Sequence, residues 1–169
     1  MRLCTLQPEY KELAEEYVRL VKMHFGNRLW SICFFGSAVR GEATSESDLD
    51  ALVVADELPQ DMGLRFRETN SIHDSLRQTE AYRRIKSLRR SATVSDILLT
   101  RQETSGHPPI LLDIADHGVL AFDRDGFLKG VLESIRRRLR ELGARKVVAE
   151  KGYYWILKPD AKPTEVVEI

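Results

Sequence analysis

The chain has 169 residues, which is enough for one hydrophobic core and short for two. Its 26 basic and 26 acidic residues balance, so no overall field draws it to nucleic acid or to a membrane surface. We find no apolar run of transmembrane length and no signal segment, and the two cysteines, Cys4 and Cys33, are expected to be reduced thiols. Together these features predict a cytoplasmic protein.

The first hundred residues predict alternating helices and strands. An apolar side favours a helix over residues 8–25, and Pro8 suits its first turn. Short, β-rich apolar runs predict strands over residues 31–35, 49–55 and 94–100.

The long segment 60–90 predicts a helix that is interrupted near Asn70 and Ser71. After it, a helix over 110–116, a fourth strand over 119–122, a helix over 127–142 and an aromatic segment over 153–156 are expected in chain order. We expect a single domain over 1–169, with a core over about 8–100 and a C-terminal extension over about 107–169.

A tight turn follows the predicted strand 31–35. Gly36 lacks a Cβ, so the backbone can bend sharply there and approach a ligand closely. Ser37 is predicted to be a helix N-cap, and the backbone N–H groups that follow attract phosphates. Arg40 lies where its planar guanidinium could hold a phosphate. The turn therefore predicts a phosphate-binding site formed by Gly36, Ser37 and Arg40.

Two aspartates open the next strand. Asp48 and Asp50 are two residues apart, so their side chains point to the same face of a strand. Their mutual repulsion is costly unless a cation neutralises them, and hard oxygen ligands of this kind suit Mg²⁺. An isolated pair would more often be a turn residue and a solvated residue. Beside Gly36, Ser37 and Arg40, the pair predicts a metal–nucleotide site.

The residues from Gly36 to Asp50, with Arg40-Gly41-Glu42 between them, resemble the signature of the polymerase-β-like nucleotidyltransferase superfamily. The resemblance is strongest to its minimal prokaryotic branch and extends more loosely to about Thr100. It implies an α/β (or α+β) nucleotidyltransferase fold, a mixed β-sheet flanked by helices. The expected C-terminal helical extension and aromatic tail go beyond the compact core of the resembled branch. It also implies transfer of a nucleoside monophosphate from an NTP, with ATP as the favoured donor, and two Mg²⁺ ions. The third metal ligand and general base that the resemblance implies is Asp96, in the strand over 94–100; the alternative is a strand-end aspartate that binds no metal.

The sequence leaves open which molecule accepts the nucleotidyl group. The resembled branch acts on small molecules, RNA ends and protein hydroxyls, and one part of it consists of antitoxins that modify a tyrosine of a partner toxin. A different hypothesis is a non-catalytic module that binds an NTP or a partner. Nucleic acid is a possible but disfavoured partner, because the basic cluster over 136–146 suits the solvated side of an amphipathic helix. A homo-oligomer is also left open. The aromatic residues over 153–155 are expected to bury the tail, and stacking on a base is the alternative.

Overall fold

The computed structural model describes residues 5–149, 152–162 and 166–167. Cys4 therefore lies outside the described residues. Helices span α1 Lys11–Phe25, α2 Ser37–Arg40, α3 Met62–Arg77, α4 Glu80–Ser87, α5 Arg101–Ser105, α6 Ile110–His117 and α7 Phe127–Leu142. Strands span β1 Leu29–Phe35, β2 Leu49–Ala55, β3 Val94–Leu99, β4 Val119–Asp123, β5 Arg145–Ala149 and β6 Gly152–Ile156.

Four strands form a mixed sheet in the order β3-β2-β1-β4. β1 runs antiparallel to both β2 and β4, whereas β2 and β3 are parallel. This architecture confirms the expected mixed sheet flanked by helices. The strands β1 and β2 are central, and this explains why both are apolar along almost their whole length.

Helices cover both faces of the sheet. On one face, Ile32 and Phe34 of β1 pack in a core shared with α1, α3 and α4. On the other face, Cys33 and Phe35 pack in a second core shared with α6 and α7. Because side chains alternate along a strand, neighbouring residues serve opposite cores. The face that a residue occupies is therefore set by its register.

The break in the segment 60–90 is wrongly predicted at Asn70 and Ser71. Helix α3 runs on to Arg77, and the chain breaks at Gln78 and Thr79. The Thr79 hydroxyl accepts a hydrogen bond from the Tyr82 backbone N–H at 3.2 Å, so Thr79 is the N-cap of α4. A polar pair on the exposed side of a helix does not interrupt it, whereas a capping threonine begins a new one.

Two elements near and beyond the core were not predicted. The short helix α5 begins with a capping box between Thr100 and Glu103. The strand β5 pairs with the predicted aromatic segment to form a hairpin. Trp155 on β6 packs against the second core, as expected, while Tyr154 is 53% exposed. Within the described part of the chain, no helix is long and apolar enough to cross a membrane.

Candidate active site

Gly36 connects β1 to the short helix α2 with a φ of +75°. This left-handed conformation favours glycine. Gly36 itself occupies the N-cap position of α2, so the prediction that Ser37 is the N-cap is wrong. Ser37 is the first residue of the helix, and its carbonyl accepts from the Glu42 N–H at 2.9 Å. The turn thus presents the start of α2 at the end of β1.

Asp50 lies directly against Gly36. The pairing of β1 with β2 places Asp50 opposite Phe35, the residue before Gly36. A Cβ added to Gly36 would lie 1.9 Å from the Asp50 Oδ2 atom. No side chain larger than hydrogen fits there. The sheet therefore joins the predicted phosphate turn and the predicted metal ligand into one site.

The two predicted aspartates at the start of β2 lie in different surroundings. Burial, and then the charge of Asp48, raise the pKa of Asp50, while the Arg40 guanidinium opposes this shift. The Asp48 Oδ1 atom accepts a hydrogen bond from the Ser91 hydroxyl at 2.6 Å. Two ionised carboxylates at this partly buried position cost free energy through desolvation and through mutual repulsion. A bound cation would lower both costs.

Arg40 closes the turn on the side of the C-terminal hairpin. Its Nε atom donates to the Glu42 carboxylate at 2.8 Å, and this hydrogen bond raises the pKa of Arg40. The Arg40 Cζ atom lies 5.9 Å from the centre of the Tyr153 ring. Arg40 is thus a cation held between the turn, Asp50 and β6.

Asp96 lies on the face of the sheet opposite to Asp50. In the parallel ladder Asp96 pairs with Ala51, and Asp50 pairs with Ser95. The Asp96 side chain is 5% exposed, and its Oδ2 atom accepts from the Tyr17 hydroxyl at 2.8 Å and lies 3.0 Å from His73 Nε2. The structure therefore brings Gly36, Ser37, Arg40, Asp48 and Asp50 together and turns Asp96 towards α1 and α3.

Asp48 and Asp96 nevertheless line one cavity of about 410 Å³ at the edge of β3, together with His73 and Asn70 of α3. Across the described ranges, no group of three or more His, Cys, Asp or Glu side chains is arranged to hold a metal ion. Asp48 and Asp50 supply carboxylate oxygens of the kind that suits Mg²⁺, an ion that usually takes its other ligands from phosphates and water.

Sequence reasoning missed the partners of these residues. Tyr17 and His73 come from helices distant in sequence, and the spacing of His73 in the sequence does not suggest a zinc ligand. Ser91 carries no motif of its own. Only the fold places these side chains beside the aspartates, so the sequence held no signal for them.

Comparison with known proteins identifies a family for most of the chain. Residues 12–119 match the model of the nucleotidyltransferase domain family. The curated protein named "Putative protein adenylyltransferase MJ1305", from Methanocaldococcus jannaschii, is 28% identical over 143 residues, covering 83% of this chain and 90% of the relative. A second protein of that organism with the same description, MJ0604, is 43% identical over 42 residues, covering 25% of this chain and 42% of that protein.

Solved structures show a more distant likeness. A toxin–antitoxin crystal structure with AMP-PNP matches at a TM-score of 0.48 and 15% identity, covering 76% of this chain and 91% of that one. A complex of a tri-AMPylated Shewanella oneidensis HEPN toxin with an MNT antitoxin matches at a TM-score of 0.46 and 14% identity, covering 79% of this chain and 92% of that one. At these TM-scores nothing about function follows from the likeness.

Proposed function

The chain belongs to the nucleotidyltransferase domain family, and on that basis we propose that it transfers a nucleoside monophosphate from an NTP to a hydroxyl group of a protein, with release of pyrophosphate. The observation that carries the proposal is the contact of Gly36 with Asp50, which joins a phosphate turn to a metal ligand. The relative named as a protein adenylyltransferase supports ATP as the donor and a protein as the acceptor.

The turn binds the triphosphate in this proposal. Backbone N–H groups at the start of α2 have no partner within the helix and can donate to phosphate oxygens. Arg40 adds a charged donor beside them, with its guanidinium already held by Glu42. Asp48 and Asp50 would hold Mg²⁺, which neutralises the charge of the phosphates when it is bound.

Asp96 remains the predicted third ligand and general base. Its two partners, Tyr17 and His73, hold it on the far face, and its cavity with Asp48 is the support for a link to the site. Asp96→Asn decides between the two readings of this residue. If Asp96 takes the acceptor proton, transfer is lost by about 10²-fold or more while NTP binding stays. If Asp96 only packs the helices, the free energy of unfolding falls and the activity of the folded protein is unchanged.

The first test is calorimetric titration with each of the four NTPs, with and without Mg²⁺. We expect Mg²⁺-dependent binding of ATP that is lost in the Asp48→Ala/Asp50→Ala double variant. Glu133→Ala removes an exposed carboxylate of α7 and is the control that keeps binding. Failure of the wild-type protein to bind any NTP would contradict the proposal.

The second test follows α-labelled ATP onto acceptors. Label on lysate proteins that depends on Asp50 supports the protein acceptor, whereas label on RNA alone contradicts it. A second candidate function is NTP binding without transfer, which the placement of Asp96 away from Asp50 favours. Mg²⁺-dependent binding with no label on any acceptor would support this second candidate.

A further inference from the structure

The C-terminal hairpin places a tyrosine beside the proposed phosphate ligand. Tyr153 lies on β6, and its ring faces the guanidinium of Arg40 at 5.9 Å. The same guanidinium opposes the rise in the pKa of Asp50, so Arg40 lies within electrostatic range of both the proposed metal site and the tyrosine. Lys146, on the neighbouring strand β5, places its Nζ atom 3.8 Å from the centre of the ring. Two cations therefore flank the Tyr153 ring at the edge of the triphosphate site.

The Tyr153 hydroxyl has a carboxylate as its hydrogen-bond acceptor. Burial, and then the hydrogen bond to Asp113 of α6, raise the pKa of Tyr153 to about 12. The hydroxyl thus keeps its proton at neutral pH and donates a hydrogen bond to the Asp113 carboxylate. A hydroxyl that is bonded to a carboxylate is the arrangement of a nucleophile with its general base. Asp113 and Tyr153 both contribute to the raised pKa of Arg40, so the pair lies within electrostatic range of the proposed phosphate ligand.

The other tyrosines lack this combination. All five lie within the described residues. Tyr10 and Tyr17 are buried with their hydroxyls bonded to the Ser47 carbonyl and to Asp96, and Tyr82 packs against the first core. Tyr154 is the next residue after Tyr153, and because side chains alternate along β6 it points away to the exposed face. Tyr154 pairs with Val147 and not with a charged side chain. It is therefore a natural matched control for Tyr153.

We propose that Tyr153 is an acceptor for the protein's own nucleotidyl transfer. This inference rests on the proposed function, because it uses the same bound NTP. The Tyr153 Oη atom attacks the α-phosphorus, its proton passes to Asp113, and a new Oη–P bond forms. The bond from the α-phosphorus to the bridging oxygen breaks, and pyrophosphate leaves with that electron pair. The product is a tyrosyl nucleotide phosphodiester.

Modification of Tyr153 would hinder a second nucleotidyl transfer by the same chain. A phosphodiester on Tyr153 brings its negative charge beside Arg40, where it competes for the guanidinium that holds the triphosphate. The attached nucleoside fills space that an incoming NTP needs. We therefore expect one nucleotidyl group per chain and weaker binding of a second NTP by the modified protein. The hairpin would then be a regulatory element of the enzyme.

Intact-mass and peptide mass spectrometry of the full chain, after incubation with ATP and Mg²⁺, tests the inference. The wild type and Tyr154→Phe are expected to gain one nucleotidyl group on Tyr153, at a first-order rate that does not depend on protein concentration. Tyr153→Phe gains none. Asp113→Asn reacts roughly 10²-fold more slowly because it lacks the base. Absence of the group in the wild type, its presence on another residue, or an unchanged rate in Asp113→Asn overturns the inference.

Calorimetry on the same preparations separates this inference from the proposed function. Tyr153→Phe keeps the Gly36 turn and both aspartates, so it is expected to bind ATP and Mg²⁺ in the unmodified state. If the wild type binds ATP and labels other proteins but not Tyr153, the inference fails and the proposed function stands. If the wild type binds no NTP, both fail together. Wild-type protein that has been modified to completion is expected to bind ATP at least 10-fold more weakly, a readout independent of turnover.

Discussion

Gly36 is the residue on which the site geometry depends. In Gly36→Ala, the new Cβ collides with Asp50 Oδ2 and the positive φ is strained, so we expect Mg²⁺-dependent ATP binding to be lost and the free energy of unfolding to fall by about 2 kcal/mol. Calorimetry and urea unfolding measure the two effects. Gly41→Ala is the matched control: its φ is +77° but nothing lies within 4 Å of the added Cβ. It should lose stability and keep ATP binding, and equal loss of binding in both variants would contradict the argument.

Asp50 is held at a cost to stability. Its raised pKa means that the folded state binds a proton more tightly than the unfolded state, so its ionised form at neutral pH opposes folding. Asp50→Asn should therefore raise the free energy of unfolding at pH 7 by about 0.5–1 kcal/mol while ATP binding is lost. The gain should disappear as the pH falls through the raised pKa to the ordinary value, since the wild type is then protonated in both states. Urea unfolding at several pH values checks this, and a variant less stable than wild type at pH 7 would refute it.

At the scale of elements, Glu103 ties α5 to α3. Its carboxylate accepts two hydrogen bonds from Arg65, whose side chain is 4% exposed, and this interaction lowers the pKa of Glu103 to about 2. Glu103→Gln leaves the charge of the buried Arg65 guanidinium without a carboxylate, and only its hydrogen bonds to the Pro59 and Leu98 carbonyls remain. We expect the free energy of unfolding to fall by about 2 kcal/mol. This is less than the usual cost of breaking a buried ion pair, because Glu103 is 42% exposed.

The same pair gives a pH dependence. Because the pKa of Glu103 is lowered on folding, its stabilisation is present above the ordinary glutamate pKa and is lost as the pH falls towards 2. The difference in melting temperature between the wild type and Glu103→Gln should therefore become smaller over that pH range. Glu80→Gln, which removes an 86% exposed partner of Arg83, is the control and should stay within about 0.5 kcal/mol of wild type. A difference that is constant with pH would count against the pair.

Elements whose signals lie within a few consecutive residues were predicted correctly from sequence. The apolar runs of β1 and β2 and the spacing of α7 indicate their own structure, and the close spacing of Gly36, Arg40, Asp48 and Asp50 predicts their meeting. Asp96 differs, because its face depends on the pairing of Asp50 with Ser95, and a shift of one residue would reverse it. Tyr153 meets Arg40 only through the packing of a hairpin distant in sequence. The spacing of residues along the sequence therefore does not reveal the register between distant strands or the packing of a distant hairpin.

At the scale of the whole molecule, the sheet is enclosed between two helical layers, and Cys33 lies fully buried at its centre. Burial raises the pKa of its thiol to about 12, so a thiol reagent should reach it only when the sheet opens. In Cys4→Ser, we expect the labelling of Cys33 to be far slower than in denatured protein. The labelling rate should rise with urea along the global unfolding curve. It should fall when ATP and Mg²⁺ bind the native state. Cys4→Ser/Cys33→Ser controls for background. Fast labelling that urea leaves unchanged would mean that the layer of α6 and α7 opens independently of the rest of the protein.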